Sequence, residues 1–448
     1  MSYSKQIQNA LDKHSINLAD KVQINLIDGT KLAGILLPRI EIGDSNSLTL
    51  KLSNGYNVGI SFSKVKSIEK LPDEKYGALD FSSKLKLKEI SGLPFVYLIA
   101  TGGTISARVD YRLGGVKAVL SPQELFFVVP ELEGVVNFKS IISPFTVWSE
   151  NMSPVDWKEI AKNVAEQVNS SVDGVVVTHG TDTLSYTSAA LSFMLPNLSK
   201  PVALVGAQRS PDRGSFDGAM NLVAASRFAG FSKMANVAIV MHATANDDYC
   251  YALRGTKVRK MHTSRRDAFR PINDSPLAKI YSDGKIEKIS NATPPSNEKI
   301  KPDLSYEEKV YLLKAFPGSD PCILDYLVEK KYKGVIIEAT ALGHVALQPR
   351  ENKFSWQHSI KNAIDNGVVI GLATQCLYGT ANPFVYETGR LLNGLGTINL
   401  KDMLPEVALI KLGFLLGHKL STEQVKEKML ENLAGEFNNR ITHKQFLN

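Results

Sequence analysis

From residue 21 to residue 62 the chain alternates apolar and polar positions in short runs: "VQINLI", "KLAGILL", "SLTLKL" and "YNVGISF". A period of two turns one face of each run toward a core and the other toward water, so each reads as a strand. Asp28-Gly29 and Asn54-Gly55 stand between runs and favour the positive φ of tight hairpins. Four or five short strands in so little chain predict a small closed β-barrel. One short amphipathic helix within residues 1–20 precedes it. The charged stretch "EKLPDEKYGALDFSSKLKLKE" breaks the alternation and reads as a linker.

At residue 94 the pattern changes. The short β-branched runs "FVYLIA", "GVVVTH", "PVALVG" and "VAIVMH" alternate with the helical periods of 153–169, 182–195 and 215–229, which carry Ser or Asp near their starts. Runs that are apolar throughout are strands covered on both faces, and strand–helix alternation predicts βαβ units with largely parallel sheets. A Pro-rich polar stretch, "NATPPSNEKIKPDLS", interrupts this, and αβ alternation then resumes. The last apolar period, "STEQVKEKMLENLAGEF", reads as an amphipathic helix. The expected organisation is α/β: helix and barrel in 1–75, linker 76–93, a first α/β domain 94–290, linker 291–305, and a smaller α/β domain 306–448.

Composition changes this picture little. The 448 residues are 44% hydrophobic and 22% charged, ordinary values for a globular protein. No uninterrupted apolar run reaches the length of a membrane span, and "MSYSKQIQNALDKHSINLAD" has no apolar signal core. Cys250, Cys322 and Cys376 are far apart and odd in number, which argues against a disulfide framework and for a reducing, cytoplasmic setting. A net charge of +7 is compatible with an anionic partner such as RNA, and equally with a solvated basic surface. The histidines show no paired metal-ligand spacing, and the chain has neither a GxxxxGK[ST] phosphate loop nor a credible dinucleotide fingerprint.

Candidate chemistry lies at two strand ends, where ligands of parallel sheets gather. "TGGTI" ends the first strand of the α/β region: Gly102 and Gly103 allow a sharp turn and close approach, and Thr104 follows with a free hydroxyl. "THGTDT" ends another, with Gly180 before Thr181 and Asp182. Taken singly, each has a plainer meaning: a structural turn, a helix cap at Asp182, a structural His179. The pair is far more specific. The basic run containing Lys257, Arg259, Lys260, Arg265 and Arg266 reads either as a crowd that disfavours the charge of Lys260, or as an exposed face touching phosphates, or as solvated surface.

"ATGGTI" with "VVVTHGTDT" resembles the two signatures of the L-asparaginase/glutaminase family, whose nucleophile is a threonine. "SENMSPVDW", "VGAQRSPDRGSFDGAMNL", "RGTKVRKMHTSRRDAF" and "DMLPEVALIKL" resemble further family segments, so the likeness spans residues 94–440. It implies two asparaginase-like α/β domains. It implies that Thr104 is the nucleophile and Tyr111 its activator, and that Lys260 polarises Thr181. Asp182 would hold the substrate α-amino group, Ser149 and Glu150 its carboxylate and amino groups, and Gly103 and Gly180 would line the site. A barrel ahead of such a body resembles the ammonia-releasing D-subunit family of the archaeal Glu-tRNA(Gln) amidotransferases. That likeness implies L-glutamine or L-asparagine as amide donor and no cofactor in this chain. ATP and Mg2+ would be used by a partner, the amidotransferase E-subunit, acting on Glu-tRNA(Gln), and a homodimer would sit within a D2E2 assembly. A free cytosolic L-asparaginase with an accessory domain, or an inactive RNA-binding scaffold, are the competing readings.

Overall fold

The computed structural model describes residues 3–39, 44–53, 56–72, 89–110, 115–118, 129–211 and 213–446, with backbone alone for 106–110 and 115–118. The Asn54-Gly55 turn, most of the 76–93 linker and Tyr111 lie outside the described residues. A helix, α1 (Lys5–Lys13), precedes five antiparallel strands: β1 (Lys21–Leu26), β2 (Lys31–Leu37), β3 (Ser47–Leu52), β4 (Asn57–Ser61) and β5 (Val65–Lys70). Their order is β4-β3-β2-β1-β5. The alternation seen in sequence buries Val22, Ile24, Leu48, Leu50 and Ile68 on one face, and Ile7 and Leu11 of α1 close over them. Gly29 takes φ +89 in the β1–β2 hairpin, as the Asp-Gly pair anticipates. A 3₁₀ turn, Phe62–Lys64, joins β4 to β5. No ladder pairs these two strands among the described residues, so the small barrel is open at that seam.

The central sheet contains β6 (Phe95–Ala100), β9 (Asn137–Ile142), β10 (Gly174–Thr178), β11 (Val202–Val205), β12 (Val237–His242), β13 (Tyr249–Arg254), β16 (Ala278–Tyr281) and β17 (Ile286–Lys288). Outside it, β7 (Ala107–Asp110) pairs with β8 (Gly115–Ala118), and β14 (Val258–Lys260) with β15 (Phe269–Pro271). The sheet order is β17-β16-β13-β12-β11-β10-β6-β9. The five strands from β9 to β12 are parallel, and the remaining three are antiparallel. Every residue of β10, β11 and β12 is buried, which accounts for their unbroken apolar runs. Helices α2 (Pro154–Val168), α3 (Leu184–Met194) and α4 (Gly218–Phe231) cover the sheet. Ser153 and Asp156 form a capping box at the start of α2, with Ser153 N–H donating to Asp156 Oδ2 at 2.8 Å.

The chain runs from β6 outward to β9 and then crosses back to β10 on the other side of β6. The direction of winding therefore reverses between β6 and β10. In open parallel sheets that reversal opens a crevice at the carboxyl ends of the two strands.

A second, parallel sheet follows in the order β18 (Val310–Lys314), β19 (Gly334–Ala339), β20 (Val369–Thr374), β21 (Ile398–Asn399). It packs with α5 (Cys322–Glu329), α6 (Trp356–Asp365), α7 (Glu387–Gly394) and α8 (Pro405–Leu416). The stretch 291–305 has no regular structure but is fastened: Ile300 is buried, and its backbone N–H and C=O both bond the Asn169 side chain. The last helix, α9 (Thr422–Leu430), starts at a Ser421–Gln424 capping box and is shorter than its apolar period predicts. Residues 431–436 turn back instead because Glu436 is drawn inside, its carboxylate 2.6 Å from the equally buried Lys411. No helix among the described residues is long and apolar enough to cross a membrane.

Candidate active site

The two glycine turns leave the carboxyl ends of β6 and β10, which pair in register Leu98 to Val176 and Ala100 to Thr178. Thr101 continues the contact, donating both its backbone N–H (3.1 Å) and its hydroxyl (2.8 Å) to Thr178 O. Gly103 then takes φ +83, and a Cβ on it would lie only 2.4 Å from Gly180 N. The turns thus meet backbone to backbone, at a distance no larger residue permits. Thr104 and Thr181 each follow one residue beyond these glycines, so the Gly103–Gly180 contact brings their backbones to the same crevice. Thr104 is half-buried and opens a 3₁₀ turn, Thr104–Ser106, rather than a helix.

Thr181 is buried, and its Oγ1 accepts from Lys260 Nζ at 2.9 Å. The same ammonium donates to Asp182 Oδ1 at 2.7 Å, while the Asp182 side chain remains 65% exposed. Asp182 does not cap α3. Thr183 occupies that position, and its hydroxyl donates to Ser149 O at 2.6 Å. Ser149 is buried against Gly180, where a Cβ would meet its Oγ at 2.7 Å, and that Oγ accepts the Asp182 N–H at 3.3 Å. Glu150 follows in the 3₁₀ turn Ser149–Asn151 with its side chain exposed. Thr181, Asp182, Lys260 and Ser149 are therefore one bonded cluster, with Gly103, Gly180 and Thr104 along its edge. Two cavities, of about 490 and 640 Å³, lie in the C-terminal domain beyond β18–β19 and beside β21. Convergence of polar groups marks the threonine crevice.

His179 stiffens the turn from behind. Its Nδ1 donates to Gly180 O at 2.6 Å, and its Nε2 accepts from the Thr187 hydroxyl at 2.9 Å. Thr187 in turn accepts from Trp157 Nε1 at 3.1 Å. Complete burial holds the ring neutral and lowers its pKa to about 4. The unfolded chain binds this proton below pH 6.5 and the native protein does not, so stability drops as pH falls from 6.5 toward 4. The shift corresponds to about 3 kcal/mol over that window. Urea unfolding at pH 7 and pH 5 is expected to show about 2 kcal/mol of this loss in the parent and a shallower one in His179→Gln. Equal slopes in the two proteins would refute it.

The basic run is not a crowd around Lys260, nor a bare cationic face. Lys257 is fully buried and donates to Asp402 Oδ2 at 2.5 Å, burial lowering its pKa against the pull of that carboxylate. Arg259 lies 3.5 Å from Glu406, whose own pKa burial raises. Arg265 and Arg270 share Asp267, held down to about 2 by the hydrogen bond from Arg265. Arg266 bonds Asp247 at 2.7 Å. Each cation of the run meets a carboxylate, and Lys260 is the one that also reaches the threonine.

Sequence reasoning passed over Asp217 and Asn221. Asp217 is buried, which raises its pKa, and it accepts the N–H groups of Gln208 and Arg209 at 3.0–3.1 Å. It thereby shapes the turn after β11 that backs Thr181. An Asp and an Asn four residues apart, on one side of the start of a mostly apolar helix, are the available signal. Among the described residues no group of three or more His, Cys, Asp or Glu could hold a metal ion.

Comparison with known proteins matches the chain in three stretches. Residues 95–293 match the family described as Asparaginase, N-terminal, and 309–429 the Glutaminase/Asparaginase C-terminal domain. Residues 16–71 match the GatD N-terminal domain. The chain is 45% identical over 437 residues to the glutamyl-tRNA(Gln) amidotransferase D-subunit of Thermococcus kodakarensis, covering 96% of this chain and 97% of that one. It is 46% identical over 437 residues to the Pyrococcus furiosus protein of the same name, with the same coverage. Among solved structures, the thermostable L-asparaginase from Thermococcus kodakarensis superposes with a TM-score of 0.69 at 27% identity, covering 77% of this chain and 100% of that one. The solved enzyme thus corresponds to the α/β body, and the barrel is what the chain has in addition. With a threonine–lysine crevice at the winding reversal, and relatives alike over nearly their whole length, the chain belongs to the asparaginase family, in the branch of the glutamyl-tRNA(Gln) amidotransferase D-subunits.

Proposed function

We propose that this chain hydrolyses glutamine and supplies the ammonia with which a tRNA-dependent amidotransferase converts Glu-tRNA(Gln) to Gln-tRNA(Gln). The observation that carries the chemistry is Lys260 Nζ, 2.9 Å from Thr181 Oγ1 and 2.7 Å from Asp182 Oδ1, beside the Gly103–Gly180 contact. A threonine hydroxyl attacks an amide only when activated. In this reading Thr104 attacks the side-chain amide carbon, with Tyr111 assisting. The C–N bond breaks, ammonia leaves with the proton, and water then cleaves the threonine ester to glutamate. Lys260 and Thr181 move the proton of that second step. The exposed Asp182 carboxylate holds the substrate α-amino group, and Ser149 and Glu150 hold its other polar ends.

The match of residues 16–71 to the GatD N-terminal domain supports the amidotransferase over a free L-asparaginase, since the solved asparaginase is accommodated without that region. The proposed assembly is cytoplasmic: a homodimer within a D2E2 complex whose E-subunit uses ATP and Mg2+. No cofactor is assigned to this chain. Glutamine hydrolysis measured with and without the E-subunit and Glu-tRNA(Gln) tests the reading. Stimulation several-fold by both together is expected. Full activity of the isolated chain, unchanged by either and with asparagine preferred, would replace it with the free asparaginase.

A further inference from the structure

We propose that Asn221, His242, Asp247 and Arg266 are positioning residues: a hydrogen-bonded relay that holds the Thr181 turn and the Lys260 hairpin at one fixed separation. The proposal rests on the reading of those two residues as part of the hydrolytic centre.

The relay starts behind Thr181. Gly206, just past β11, lies so close that a Cβ on it would stand 2.8 Å from Thr181 Cγ2 and 2.8 Å from His179 O. Asn221 on α4 donates from Nδ2 to Gly206 O and to Asp217 Oδ2, both at 3.0 Å. Those two donations orient the amide and leave its Oδ1 to accept only. Oδ1 takes the His242 backbone N–H at 3.0 Å and the ring Nδ1 at 2.5 Å, with the Cys250 thiol at 3.6 Å. On the far side of the ring, His242 Nε2 lies 3.0 Å from Asp247 Oδ1; Asn221 Oδ1 and Asp247 Oδ1 only accept, so both bonds form when the ring carries a hydrogen on each nitrogen. Burial acts to raise the Asp247 pKa, but the hydrogen bond from His242 and the Arg266 charge hold it below the ordinary value.

Asp247 Oδ1 also accepts from Arg266 Nη1 at 2.7 Å, and Arg266 Nη2 bonds Ala245 O. Arg266 lies in the loop between β14, which ends at Lys260, and β15. An unbroken series of hydrogen bonds therefore joins the backbone supporting Thr181 to the loop that carries Lys260. Asn221 and His242 are buried and fully partnered, and such networks define one geometry sharply. The Asp247 side chain is 66% exposed, so the relay can be cut there without opening the core.

The test compares Asp247→Leu, Asp247→Asn, Arg266→Leu and the Asp247→Leu/Arg266→Leu pair, on the full chain together with the E-subunit. Misplacing reacting groups by about an ångström costs up to about 10²-fold. A drop of roughly ten- to a hundredfold in kcat for glutamine is expected in Asp247→Leu and Arg266→Leu, with KM within about twofold because no substrate-holding group is touched. The double variant is expected to lose little more than either single one, since each already severs the shared Asp247–Arg266 bond and with it the series. Asp247→Asn keeps an oxygen acceptor for both partners and is expected to restore most of kcat. If Asp247→Leu keeps kcat within about twofold of the parent, or if Asp247→Asn is as slow as Asp247→Leu, the relay is overturned. Thr181→Val, run alongside, separates the two claims. An active Thr181→Val refutes the hydrolytic reading, whereas an inactive one beside a fully active Asp247→Leu refutes the relay alone.

Discussion

Thr104→Val is expected to lower kcat for glutamine hydrolysis by about 10³-fold or more, and Thr181→Val by about 10²–10⁴-fold. Neither should disturb folding. Valine keeps the branched shape, so at position 181 the methyl that packs on Gly206 remains and only the Oγ1 that accepts from Lys260 is lost. Lys260 is not stranded by that change, because Asp182 Oδ1 still accepts from it at 2.7 Å. Since the hydroxyls react rather than bind, kcat and kcat/KM should fall together with KM nearly unchanged. Steady-state kinetics with unchanged melting curves check this. Hydrolysis within about tenfold of the parent in Thr104→Val would remove the nucleophile assignment, and the same result in Thr181→Val would remove the proton-transfer role.

Asp402→Ala is expected to cost about 3–5 kcal/mol of stability, because it leaves Lys257 charged and unpaired in the interior. Lys257 is wholly inaccessible and Asp402 nearly so. The carboxylate also accepts the Asn438 N–H at 3.2 Å, which would be orphaned as well. Lys257 Nζ additionally donates to Asp402 O at 3.0 Å, so one bond survives the substitution and sets a floor under the residual stability. The exposed pair Lys361–Asp365, one helical turn apart, is the control: Asp365→Ala should cost about 0.3–0.5 kcal/mol. Replacing both buried partners with apolar residues of similar volume, Lys257→Met with Asp402→Leu, should recover much of the loss. Urea unfolding of the four proteins measures all three effects, and an Asp402→Ala cost no larger than the surface control would refute the burial argument. Lys257 stands three residues before Lys260 on the same hairpin. Arg259, between them, reaches Glu406 in the first turn of α8. The bonds that stabilise the contact between the two α/β domains therefore also hold the Lys260 hairpin, and Asp402→Ala should be slower in hydrolysis as well as weaker.

Much of this molecule is legible along the chain because its causes are local. The runs at 95–100, 174–178, 202–205 and 237–242 are rich in β-branched residues, the last three buried throughout, and they form strands as their pattern predicts. Ser153 and Asp156 start α2 through bonds that span three residues. Gly102, Gly103 and Gly180 are where side chains would collide, and glycine is the residue such contacts require. The α9 end is the counterexample: its period continues past Leu430, but Glu436 leaves it for Lys411, a partner on another helix.

The same division runs through the site. Which threonines could act is marked by two short signatures, whereas the basic run by itself leaves its lysines alike, and only the resemblance to the family singles out Lys260. That the two signatures face each other depends on β10 pairing with β6 after the chain has gone out to β9 and back. Which cation is available to Thr181 depends on carboxylates far away in the chain: Asp402 lies 145 residues from Lys257, and Asp182 lies 78 residues before Lys260. A run of like charges looks uniform because sequence neighbours are close. Its members come to differ only when folding brings each a different counter-charge, burying one wholly and leaving another at the crevice.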